Sequence, residues 1–142
     1  MSSAEFIIQN NNCGKYIHPE HQHPSVPDND PLVLLDDRSS SNTHFVFEKN
    51  DAKWGYIRHT KSNKVWHPLM GASFAKTNGT KICLHSDRAR HALFTFDEAT
   101  KQIQHIDGLY VHYNSGRETN PQDGDNIVLY DGQHEGTKWD RL

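Results

Sequence analysis

Part of this chain is written three times. A histidine-bearing strand reads GKYIHP at 14–19, NKVWHP at 63–68 and GLYVHY at 108–113. Its histidines, His18, His67 and His112, fall 49 and then 45 residues apart. A second strand follows in each copy: LVLLDD (32–37), ICLHSD (82–87) and IVLYDG (127–132), with starts 50 and 45 residues apart. The third mark is HFVF (44–47), LFTF (93–96) and, more loosely, TKWD (137–140). Landmarks that keep one order and one period mean a repeated supersecondary unit that cannot bury its apolar face alone.

Between landmarks the chain reads as strand and turn. KYIH, LVLL, ICLH, HFVFE and YVHY are short runs rich in Val, Ile, Tyr and Phe, separated by VPDNDP, KTNGTK and TNPQDGDN. Those are the marks of strands and of the Asn, Asp, Gly and Pro that end them. RARHALFTF (88–96) begins with helical spacing and ends in alternation, so no helix is sustained. The chain is therefore all-β. Units of this length with about four strands each are too few for a propeller, and three of them close a β-trefoil. The 142 residues form one trefoil domain, 1–142, with repeats of about 1–50, 51–98 and 99–142. Core candidates are Phe45, Phe47, Leu93, Phe94, Phe96 and Trp139.

Composition removes several functions. A net charge of -3, with the 15 Lys and Arg scattered, offers no field for nucleic acid. The longest apolar run, LVLL, is far too short to cross a bilayer. MSSAEFIIQNNN has neither the basic nor the apolar region of a secretory leader. Cys13 and Cys83 are too few for a disulfide framework. NGT at 78–80 is a glycosylation sequon that a secreted chain would expose to modification. The expected location is cytoplasmic, or outside the cell after release without a classical signal peptide.

The recurring polar set is a histidine near the end of the first strand, a Gly- or Asn-rich loop, and Asp or His after the second strand. It comprises His18, His21, Asn29 and Asp37 in the first repeat. The second has His67, Gly71, Asn78, His85 and Asp87; the third has His112, Gly116, Asn120, Asp131 and His134. Such a set suits a sugar. Adjacent hydroxyls are each donor and acceptor, and an imidazole and a carboxylate bridge them together. Bonds to carboxylate are the stronger kind, so Asp37, Asp87 and Asp131 would fix orientation. One such site binds at about the millimolar level, and three on one rigid body multiply avidity.

These residues resemble the galactose- and N-acetylgalactosamine-binding β-trefoil lectins of mussels, an R-type-like family. Its repeat reads roughly G-K-x-x-H-P-x-G-G, N-P-x-N-x-T, V-L-H-x-D-x-H and an F-x-F strand. GKYIHP, KVWHP, LHSDR, ALFTFD and NPQDGD match pieces of it across nearly the whole chain. The resemblance implies a non-catalytic lectin without cofactor or metal. Its partners would be galactose-terminated glycans of glycolipids or glycoproteins, bound by the HP histidine, the loop glycine, and the Asp and His of H-x-D-x-H. It also implies dimerisation, agglutination and cytotoxicity, as often found in that family. The chain departs from the pattern in each repeat. His21 and Gln22 stand where the double glycine belongs, and LLDDRS keeps only Asp37 of H-x-D-x-H. Ala89 replaces the last histidine of the second repeat, with His91 two residues on. Tyr113 replaces Pro in the third, where the Asp moves to Asp131 and His134 is retained.

The same residues admit other readings. His18, His21 and His23 in HPEHQH lack helical spacing and a fourth ligand, so a solvated loop is favoured over zinc. The repeated histidines also suit a purely structural role at the trefoil corners. Cys83 lies in an apolar strand and reads as core. Trp66, Tyr130 and Trp139 are sugar-stacking candidates, with Trp139 better placed for core. GRETNPQDGDN (116–126) lacks the spacing of a calcium loop. No G-x-S-x-G, phosphate loop or paired acid and base marks an enzyme. The rival from another class is a histidine-rich trefoil that binds cytoskeleton or membrane surface with pH. Eleven histidines would reverse the net charge between pH 7 and 6, and His21, His23, His44, His59, His91 and His105 fall outside the repeated positions.

Overall fold

The computed structural model describes residues 5–11, 13–20, 26–36, 43–69, 80–113, 124–131 and 138–142. The strands are β1 (Phe6–Asn10), β2 (Tyr16–Pro19), β3 (Asp30–Leu35), β4 (His44–Lys49), β5 (Gly55–His59) and β6 (Val65–Pro68). They continue as β7 (Ile82–His85), β8 (Phe94–Asp97), β9 (Gln102–His105), β10 (Tyr110–Tyr113), β11 (Ile127–Tyr130) and β12 (Trp139–Arg141). The helical spacing at 88–96 yields only a 3-10 turn, Arg90–Ala92, before β8 takes over.

β1 pairs with β4 and β12, β4 with β5, β5 with β8, and β8 with β9. The ring closes through a bridge between Gln102 and Lys138 and a bond from the Trp139 N–H to the Lys101 carbonyl. Closure leaves no edge on this barrel. The remaining strands form the hairpins β2–β3, β6–β7 and β10–β11. These meet one another in a triangle: Asp30 and Pro31 pair with Leu84 and Cys83, Val33 with Asn126, and Lys81 with Val128. The chain is a β-trefoil.

The core lies on the axis of that triangle and barrel. Leu34, Leu84 and Leu129 hold equivalent places, and Ile8, Phe45, Ile57, Phe94, Ile103 and Trp139 fill the barrel. Burying each such side chain contributes about 1.5–3 kcal/mol, and every repeat draws that burial from the other two. Phe45, Leu93, Phe94 and Trp139 are buried as expected. Phe47 and Phe96 are only partly buried; with Phe6 they line the barrel end, where the Arg141 guanidinium lies 4.2 Å from the Phe96 ring centre. Trp66 is fully buried between Phe45 and Phe94, edge to face with both, and therefore does not stack on a ligand.

The turn that precedes each histidine strand is built alike. The N–H groups of Gly14, Asn63 and Gly108 donate to the carbonyls of Asn10, His59 and His105, at 2.8–2.9 Å. All three donors have positive φ, of 80°, 63° and 103°, which is why Gly or Asn stands there. The acceptor residues also cap the turn with their side chains. Cys13 donates its N–H to Asn10 Oδ1 at 3.1 Å, Ser62 to His59 Nδ1 at 3.3 Å and Asp107 to His105 Nδ1 at 3.2 Å. His59 and His105 are thus threefold-equivalent turn caps with no exposed surface. This corrects their reading as histidines outside the repeat, and removes them from any pH-responsive surface.

Candidate functional site

Each repeated histidine is the third residue of a four-residue strand and faces a hairpin partner in the same register. His18 pairs with Val33, His67 with Cys83 and His112 with Val128. All are buried, His67 to 3% exposure and the other two completely. These positions are therefore anchored by sheet and packing rather than carried on loops.

The second repeat is the most fully described. His67 donates Nε2–H to the carbonyl of Asp87. A carbonyl only accepts, so the proton sits on Nε2 and Nδ1 is left as acceptor. His91 Nε2 lies 3.1 Å from that Nδ1 and is the donor to it. The ring centres of His85 and His91 lie 4.9 and 4.8 Å from that of His67. His85 is half-buried at the end of β7, and its Nδ1 accepts the Asp87 N–H at 3.0 Å. Burial pushes the His67 pKa down, the neighbouring His91 and His85 push the same way, and the bond to Asp87 partly opposes them. The cluster is thus held with a neutral His67, and the exposed Asp87 carboxylate follows on its rim.

The segment 85–92 is tied at several points. Asp28, from the first repeat, accepts from Lys64 Nζ at 2.6 Å and from the Ser86 N–H at 3.1 Å, and lies 3.7 Å from His85 Nε2. The Lys64 ammonium holds the Asp28 carboxyl below its usual range. Arg88 makes a two-pronged bond to Glu48 at 2.7 and 3.2 Å. From the third repeat, His105 donates Nε2–H to the carbonyl of His91 at 2.7 Å. Asp28 and His105 were invisible as site residues in the sequence, because each belongs to a neighbouring repeat.

The other repeats differ. His112 donates Nδ1–H to the Tyr113 carbonyl at 2.6 Å, and its ring lies 4.7 and 5.2 Å from those of Tyr113 and Tyr130. Tyr113, standing where the other strands have Pro, is buried, and Tyr130 occupies the place of His85. Asp131 is exposed just beyond β11. Asn29 is in a left-handed turn, φ 71°, donating its N–H to the Leu84 carbonyl at 2.7 Å, while its side chain accepts from Cys83 Sγ at 3.9 Å. Burial, aided by Asp28 and Asp30, pushes the Cys83 thiol up to about 12, so it is no nucleophile. His21, Asp37, Gly71, Asn78, Gly116, Asn120 and His134 lie outside the described residues. Among the described residues, no group of three His, Cys, Asp or Glu is arranged to hold a metal.

Solved structures share this architecture at low identity. The designed threefold-symmetric protein ThreeFoil superposes with a TM-score of 0.81 at 12% identity, covering 97% of both chains. The C-terminal half of an earthworm R-type lectin, solved with GalNAc, gives 0.70 at 12%, covering 96% of both. The Polyporus squamosus lectin, solved with a sialylated epitope, gives 0.72 at 13%, covering 99% of this chain and 49% of its own. No curated protein sequence matches the chain. The family model MytiLec, described as alpha-D-galactose-binding lectin, matches residues 6–142. The threefold hairpins, their buried histidines and this match agree: the chain belongs to the MytiLec family of alpha-D-galactose-binding lectins.

Proposed function

We propose that this lectin binds terminal galactose or N-acetylgalactosamine on glycolipid or glycoprotein glycans, without metal and without catalysis, through one site at the open end of each hairpin. The observation that supports this reading most directly is the second-repeat cluster. There a carboxylate, Asp87, and half-buried imidazoles, His85 and His91, share one rim around a buried, neutral His67. An imidazole and a carboxylate side by side bridge adjacent hydroxyls, which fits the edge of a pyranose. A single site of that size holds a sugar with about 4 kcal/mol, so useful affinity comes from several repeats engaging one dense glycan surface.

The test is a calorimetric titration with galactose and N-acetylgalactosamine at pH 7.5 with chelator present, and glucose as control. Heat from the galacto sugars alone supports the reading, and the stoichiometry counts the working repeats. Silence from both sugars, repeated on an array of extended galactosylated glycans, would overturn it. Two of the six histidines on which a pH-dependent surface would draw, His59 and His105, are buried turn caps, and the family assignment favours sugar.

A further inference from the structure

We propose that the second repeat holds a binding site for a zinc-like transition-metal ion, with His67 Nδ1 and His91 Nε2 as its two protein ligands. The site is a separate property of the chain: it does not rest on the sugar reading, and sugar binding does not require it.

The two nitrogens lie 3.1 Å apart. Metal–nitrogen bonds of about 2.0–2.1 Å put two imidazole nitrogens about 3.3 Å apart on a tetrahedral ion and about 2.9 Å apart at a right angle. The spacing of the pair therefore suits one ion, once the rings tilt so that both lone pairs converge on it. In the metal-free chain a proton fills that place, carried by His91 Nε2 and donated to His67 Nδ1. On binding, that proton moves to Nδ1 of His91 and the ion takes the lone pair it leaves. Both imidazoles stay neutral, and no further proton acceptor is needed.

A histidine that ligates through one nitrogen is held through the other, whose N–H goes to a carbonyl or carboxylate. His67 is held in this way: Nε2–H donates to the Asp87 carbonyl, which fixes the tautomer that leaves Nδ1 as the lone pair. Its backbone is set in β6 opposite Cys83 of β7, and the His91 carbonyl is held by Nε2–H of His105 at 2.7 Å. His91 is half-buried, so an ion reaches the pair from its side. His85 is not a third ligand, since its Nδ1 takes the Asp87 N–H at 3.0 Å and its Nε2 faces Asp28 at 3.7 Å. Water completes the coordination, and the exposed Asp87 carboxylate on the rim offsets part of the charge. Two imidazoles and water select zinc, copper or nickel over magnesium and calcium, which take oxygen ligands. The repeat landmarks align position 91 with Asn42 and Glu135, so the imidazole pair belongs to the second repeat alone.

The full-length chain, labelled with ¹⁵N, is titrated with zinc chloride at pH 7.5, reading the imidazole nitrogens of its histidines, with magnesium chloride as control. His67 Nδ1 and His91 Nε2 should move together and saturate together with zinc, and magnesium should move neither. His91→Gln keeps a donor toward His67 and removes the second ligand; it should weaken zinc binding at His67 at least tenfold. The rise in melting temperature with zinc should shrink in that variant, because the ion binds the folded pair. If the variant does not fold, the wild-type nitrogen signals decide alone. Zinc shifts confined to other histidines, such as those of HPEHQH, would overturn the proposal. So would wild-type zinc affinity at His67 in His91→Gln. The galactose titration, run with chelator, stands or falls separately.

Discussion

Asn29 and Gly124 occupy the same turn in different repeats. Each has positive φ, 71° and 91°, and each donates its N–H to a leucine carbonyl of another hairpin, Leu84 and Leu34, at 2.7 Å. The backbone of Asn29 is thus committed to joining hairpins, which accounts for its residue type without a ligand. Asn29→Gly should leave stability within a few tenths of a kcal/mol and sugar affinity unchanged. Asn29→Ala should cost about 1 kcal/mol through left-handed strain. Urea unfolding of both variants beside the sugar titration checks this, and a loss of affinity in Asn29→Gly would restore the residue to the site.

Asp28 ties the first repeat to the rim of the second. Its bonds to Lys64 and Ser86 are largely exposed, so their worth to global stability is about 1 kcal/mol or less. Their worth to the site is larger, since they fix His85 and Ser86. Asp28→Ala should therefore lower galactose affinity at the second repeat several-fold while moving the melting temperature by only a few degrees. A large melting shift with unchanged affinity would reverse that assignment.

The depressed pKa of His67 makes stability depend on pH in a definite direction. Below the ordinary histidine value of 6.5 the unfolded chain takes up a proton that folded His67 resists, so stability is full above pH 6.5 and falls as pH drops toward the folded value. Protonating His67 would also set an N–H against the His91 donor, so the His67–His91 bond survives only if His91 changes tautomer. Denaturation midpoints between pH 7.5 and 5 should fall more steeply for the wild type than for His67→Gln, and galactose affinity should fall with them. Parallel profiles for the two proteins would show that other groups set the dependence.

Gly55 lies at the crossing of β4, β5 and β8. A Cβ there would sit 2.6 Å from the Glu48 carbonyl oxygen and 2.7 Å from the Phe47 ring. The carbonyl belongs to the ladder and cannot give way. Gly55→Ala should cost about 1–3 kcal/mol and lower the melting temperature by several degrees, as a thermal scan would show.

Much of this was legible in the chain because the trefoil is written in residue identity at three landmarks. The period located the hairpins and placed His18, His67 and His112 at equivalent positions of the three repeats. Identity failed where one job is done by different chemistry. Asn10, His59 and His105 cap the same turn, yet an amide and an imidazole do not align by eye, and the loop is one residue shorter in the third repeat. The available signal was the Gly or Asn three or four residues later, which marks a left-handed turn. Trp66 was ambiguous for another reason. An aromatic in a strand suits a sugar face or a core equally, and only the sheet direction decides. The bracing of the site by Asp28 and His105 was not legible, because it depends on which repeat neighbours which.

The triangle of hairpins has a consequence for valency. Each hairpin hands a backbone bond to a neighbour, and the last reaches back to the first, so the figure is finished with three members. A linear array gains binding sites by duplication of another unit at its end. A closed figure has no end to extend, and a fourth copy would have no partner for its hairpin. A lineage of such chains can enlarge its hold on glycans in only two ways: by joining whole trefoils together, or by letting its three hairpins diverge from one another.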